Sequence, residues 1–140
     1  MQKSKNVLTI LAVITAGLVV MAFGMPQDQK KGGPWEVPAK YEKMENPYKD
    51  DAGIAKVGKM LWSKHCKSCH GNMGLGDGPK AAQLETLPGD FSTAEFQGQS
   101  DGAINYKSFV GRDEMPNFEK KITDEEDQWA IVNYIRAMKK

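Results

Sequence analysis

Both cysteines and both histidines of this 140-residue chain fall inside one short stretch, KHCKSCHG, residues 64–71. So dense a set of ligand side chains decides what the rest of the chain can be built around. A disulfide between Cys66 and Cys69 would close a loop too short to hold a small domain together. A zinc site needs tetrahedral convergence, normally from two ligand pairs roughly a dozen residues apart, and the sequence has no distant Cys or His to complete it. A thioredoxin-like dithiol follows a strand, whereas AGIAKVGKMLWSKHC places Ile54, Val57 and Leu61 on one face of an amphipathic helix.

The remaining reading of C-x-x-C-H is the attachment signature of c-type haem. Two thiols on one turn each reach a vinyl group of the same porphyrin, and the adjacent His70 offers its imidazole to the iron. A second axial ligand must come from His65 or from eight methionines. His65 is too close to the attachment turn to cross the ring. Met1, Met21 and Met25 lie in the N-terminal segment, Met60 and Met138 read as helix core, and Met73 follows His70 too closely. Met115, in the loop GRDEMPNF stiffened by Pro116, is the preferred thioether, with Met44 as the alternative.

The length suits one domain. Nineteen basic against 18 acidic side chains leave a net charge of +1, far from the excess of a nucleic-acid binder, so no nucleic-acid partner is expected. Residues 1–25 read as a signal peptide or membrane anchor: Lys3 and Lys5 precede a nearly all-apolar run, residues 7–23, long enough for either role. Either way the remainder faces outward, which places the protein in the periplasm or on the outer face of the cytoplasmic membrane. Residues 26–50 form a proline-rich arm, a tether or a strap, in which Pro26, Pro34, Pro38 and Pro47 forbid a continuous helix. Residues 51–140 carry the domain.

Within that domain the glycines 74, 76 and 78 mark a loop, residues 80–84 a short helix, and residues 102–110 a helix closed by Gly111. The last segment, TDEEDQWAIVNYIRAMKK, reads as a helix capped by Thr123 with Glu126 closing a capping box, and Ile131, Tyr134, Ile135 and Met138 form its apolar stripe. No alternating strand pattern occurs. Helices of this size joined by long loops bury too little surface to stand alone, so a cofactor should fill the centre.

In order along the chain, GKMLWSKHCKSCHG, GDGP (residues 76–79), MPNF (residues 115–118) and WAIVNYIR resemble the class I c-type cytochromes, in particular the small bacterial single-haem cytochrome c domain. The resemblance covers about residues 51–140. It implies an all-α cytochrome c fold of three main helices and long loops around one covalently bound haem c, with Tyr134 packing across Gly58. It implies Cys66 and Cys69 as the thioether anchors, His70 and Met115 as axial ligands, and the Pro79 carbonyl as hydrogen-bond acceptor for the His70 ring. The resemblance leaves the propionate contacts open: Arg112 and Tyr106 are candidates, and a solvated loop side chain is the alternative for each. The arm has no counterpart in that pattern.

The function so implied is a one-electron carrier of a respiratory chain, not an enzyme, because both axial positions are filled. Its expected partners are a terminal oxidase or a quinol-oxidising complex, met through a lysine-rich rim (Lys49, Lys56, Lys59, Lys64, Lys67, Lys80). The alternative is a haem-containing subunit, sensor or peroxidase-like protein in which the methionine dissociates. Membrane association would run through residues 7–23.

Overall fold

A computed structural model describes residues 32–140. The signal or anchor segment, residues 1–25, and the first part of the arm lie outside the described residues. Six helices follow in order: α1 (Ala39–Glu42), α2 (Ile54–His65), α3 (Lys67–His70), α4 (Ala94–Gln97), α5 (Asp101–Val110) and α6 (Glu125–Arg136), with one 3-10 turn at Ala81–Gln83. Among the described residues there is no strand, only an isolated bridge between Arg112 and Met115. The all-α class expected from the sequence is the one observed, and α2, α5 and α6 are its long helices.

The helices α2 and α6 cross where Gly58 removes a side chain from their contact. A Cβ there would lie 2.0 Å from the Ala130 carbonyl oxygen and 3.0 Å from Tyr134 Cβ, so backbone meets backbone at this point and Tyr134 packs over it. The apolar stripe of α6 supplies the floor of the core: Trp129, Ala130, Ile131, Val132 and Ile135 are all at most 2 % exposed. Trp62 from α2, Ile104 and Phe109 from α5, and Phe118 and Ile122 from the following loop close over it.

The α6 cap differs by one residue from the sequence expectation. Asp124, not Thr123, is the N-cap, and its carboxylate accepts from the Glu126 and Asp127 amides at 2.9 and 3.3 Å. A carboxylate at this position meets the positive end of the helix dipole as well as the free amides. Similar caps start α5 and α4, through Ser100 and Thr93. Both α4 and α1 are one-turn helices with too few residues to show periodicity.

The described part of the arm, from residue 32, packs on the body of the domain. Pro38 starts α1, which lies on α5 where Gly102 leaves room: a Cβ at Gly102 would sit 1.9 Å from the Tyr41 carbonyl oxygen. Tyr41 and Tyr106 rings meet at 4.6 Å. Asn46 is buried and donates to Asp101 (3.0 Å) and Asn133 (2.7 Å), while Asn133 donates to the Tyr48 carbonyl (2.7 Å). Arg136 then ties Asp101 to the carbonyls of Gln97 and Gln99. The arm segment after α1 and the helices α5 and α6 are thus joined by one polar network.

Candidate functional site

The helix α2 ends directly in the attachment turn. The Cys66 amide continues the α2 ladder to Trp62 (2.9 Å), and the Cys66 carbonyl accepts from Cys69 and His70 amides at 3.2 and 3.1 Å. One turn therefore carries both thiols and the imidazole. It is braced from below by the glycine loop, whose amides at Gly76, Gly78 and Lys80 donate to the carbonyls of His70, Cys69 and Ser68. Gly71 must be glycine here: its φ is +80° and a Cβ would fall 1.8 Å from the Asp77 carboxylate.

Above the turn lies a cavity of about 750 Å³ lined by Cys66, Cys69, His70 and Met115 together with apolar side chains of α5 and α6, among them Ile104, Phe109, Ile131 and Ile135. That volume falls within the ~300–1,000 Å³ of small-molecule and cofactor pockets. His70 is 9 % exposed, and Phe91 and Trp62 flank its ring at 4.7 and 5.8 Å. Trp62 is fixed in turn by its indole N–H, which donates to the Gly71 carbonyl at 3.0 Å.

The electrostatics of the turn suit ligation and not thiol exchange. Burial lowers the His70 pKa to about 4, against a smaller opposite effect of the Pro88 carbonyl, so the imidazole is neutral and its lone pair free for a metal. Burial, with Cys69 adding to it, raises the Cys66 thiol to about 12. A redox dithiol needs a stabilised thiolate, and Cys66 has the reverse. Among the described residues, no group of three or more His, Cys, Asp or Glu could hold a metal ion by itself, so a protein-only metal clip is not formed.

The proline assignment changes. Pro79, expected to serve the His70 ring, lines a separate small depression with Lys67, Gly71, Asp77 and Gly78. Pro88 instead lines the main cavity together with His70, and its carbonyl slightly opposes the effect of burial on the imidazole. His70 Nδ1 is buried and makes no hydrogen bond. The LPGDF stretch that carries Pro88 also brings Phe91 beside the imidazole, with the two rings tilted by 36°.

Met115 is presented by a tight turn. Its amide and carbonyl bond reciprocally with Arg112 at 2.8 and 2.9 Å, Gly111 (φ +72°) opens the turn, and Asp113 sits at φ +52°. Met44, the alternative thioether, packs on Gly102 and is not among the cavity residues. Of the two propionate candidates, Arg112 lines the cavity and Tyr106 packs on Tyr41. His65 stays outside, edge-on to Phe118 at 5.9 Å.

Sequence reasoning missed the arm's part in this site. Residues 32–35 line the cavity rim, Arg112 donates to the Pro34 and Gly33 carbonyls at 2.8 and 3.1 Å, and its guanidinium lies 4.5 Å above the Trp35 ring.

A neutral buried imidazole with an orphaned Nδ1, two neighbouring thiols and an apolar cavity of this size together fit a covalently attached haem. The family model for cytochrome c matches residues 55–139, well over half of the sequence. The chain belongs to the cytochrome c family, whose members carry covalently bound haem c and serve haem-based electron transfer. Cys66 and Cys69, with His70 beside them, are this chain's attachment motif. No curated protein matches the chain. Among the described residues, no helix is long and apolar enough to cross a membrane; residues 7–23 lie outside them.

Proposed function

We propose that this protein is a one-electron carrier of a respiratory chain in which His70 and Met115 are the two axial ligands of haem c, and that it is not an enzyme. The observation that carries this reading is that one cavity is lined by both attachment cysteines, the neutral His70 and the turn-held Met115, while Met44 is packed elsewhere. Bound haem supplies a one-electron iron couple. The chain does the rest: Cys66 and Cys69 anchor, His70 is oriented by Phe91, Trp62 and Pro88, and the apolar walls from α5 and α6 exclude water. Lys107 and Arg112, the lysine and arginine lining the cavity, would hold the propionates. A thioether paired with imidazole favours the ferrous state.

The partner is a membrane oxidase or a quinol-oxidising complex on the outer side of the cytoplasmic membrane. Support comes from the apolar run at residues 7–23 and from Lys49, Lys56, Lys59, Lys64, Lys67 and Lys80, all exposed and able to steer docking on an acidic face.

The test is intact mass and optical spectroscopy of the native protein. The mass should exceed that of the polypeptide by one haem and report whether residues 1–25 remain. The ferric protein should show the long-wavelength band of a thioether ligand, and Met115→Ala should abolish it. A band that survives in Met115→Ala would remove Met115 from the iron.

A further inference from the structure

Glu114 immediately precedes Met115, and its side chain reaches across to a different loop. Its two carboxylate oxygens accept from consecutive backbone amides, Glu85 at 3.1 Å and Thr86 at 2.9 Å. Those amides open the loop that carries Pro88 into the cavity lining and Phe91 to within 4.7 Å of the imidazole ring. On the other side, the Glu114 backbone lies inside the Arg112–Met115 turn, closed by two reciprocal hydrogen bonds. One side chain therefore bridges the wall built around His70 and the turn that presents Met115.

We infer that Glu114 is a positioning residue for Met115, a clasp that sets the separation of the two cavity walls and so how firmly the thioether is held. The inference rests on the assignment of Met115 as axial ligand. Glu114 is exposed, but a carboxylate engaging two adjacent amides at once is charge-assisted and directional, unlike an acid with no partner. The link also joins segments far apart in sequence, so it constrains a loop-to-loop distance that neither local turn fixes. With the clasp cut, the Met115 turn keeps its own hydrogen bonds but loses its tie to the His70 side, and the thioether should leave the iron more often.

Two measurements separate this from a general effect of charge or stability. Cyanide binds ferric haem at the position a departing thioether vacates, so its association rate reports that departure. Removing a negative charge by itself raises the midpoint potential, whereas a looser thioether lowers it. The expected result for Glu114→Ala is cyanide binding about tenfold faster than wild type, a weakened thioether band and a lowered potential. Glu114→Gln, which keeps an acceptor oxygen without the charge, should fall between the two. Wild-type cyanide kinetics with an unchanged band in both variants overturns the clasp. If instead the wild-type band is absent, or persists in Met115→Ala, the Met115 assignment fails and the clasp falls with it.

Discussion

His70 shows how burial selects one of the two states of a side chain. Its half-buried counterpart His65 is edged by lysines and packs on Phe118, while His70 sits between Phe91 and Trp62, where a charge would find little water. The neutral ring that results is what a metal requires, and Trp62 maintains it by filling the space behind and fastening Gly71. Trp62→Phe keeps most of that volume but deletes the donor to the Gly71 carbonyl, a buried bond. The cost should be about 1–3 kcal/mol in denaturant unfolding of the haem-loaded protein; an unchanged midpoint would show that Gly71 finds another donor. Residues with rare chemistry were readable in the sequence: Cys66, Cys69 and His70 come from two cysteines and two histidines in all, set side by side, whereas Met115 had to be picked from eight methionines. Pro88 and Glu114 were not readable. Which proline lies beside His70, Pro79 or Pro88, depends on the loop path that Gly71, Gly76 and Gly78 set, and that path is not written in either proline.

Among the elements, α6 was the most legible because its apolar stripe has the helical period over its whole length, and every expected stripe position except the half-exposed Tyr134 is buried. Its start was read one residue early, since Thr123 and Asp124 are both competent caps and only the path of the incoming loop decides which carbonyl begins the helix. The consequence is measurable. Asp124→Ala should lose about 1 kcal/mol of stability, with Thr123→Ala within about 0.5 kcal/mol of wild type; equal losses in urea titrations would return the cap to Thr123. The crossing of α2 and α6 is stricter. Gly58→Ala would drive a methyl to within 2.0 Å of the Ala130 carbonyl oxygen, which a flexible neighbour cannot relieve because the obstacle is backbone. Separation of the two helices should cost about 1–3 kcal/mol and is expected to broaden the cooperative thermal transition. By contrast, α1 and α4 were invisible to periodicity at one turn each; tertiary packing, through Gly102 and the Phe91–Phe96 stack at 4.2 Å, holds them in place.

At the level of the whole molecule, the core is a shell around a cavity. The described 109-residue region from 32 to 140 surrounds about 750 Å³ that side chains do not fill. A cavity that size, apolar on most sides, makes the folded chain dependent on what occupies it, since anything that binds only the native state adds its binding energy to folding. Protein produced without haem attachment should therefore show reduced helicity and no sharp thermal transition by circular dichroism. A fully cooperative haem-free transition would show that α2, α5 and α6 suffice alone. The sequence announced the missing core through its shortage of apolar elements, but the course of the arm depended on long-range contacts, Asn46 with Asn133 and Arg112 with Pro34, that no local pattern encodes. That course has a geographical consequence. At Gly32 an added Cβ would lie 3.1 Å from Thr86 and 3.3 Å from Arg112, so the described chain enters the domain at the cavity rim. Residues 32–35 and Arg112 thus form one part of the cavity lining, so the arm helps to close the site and is more than a spacer before it.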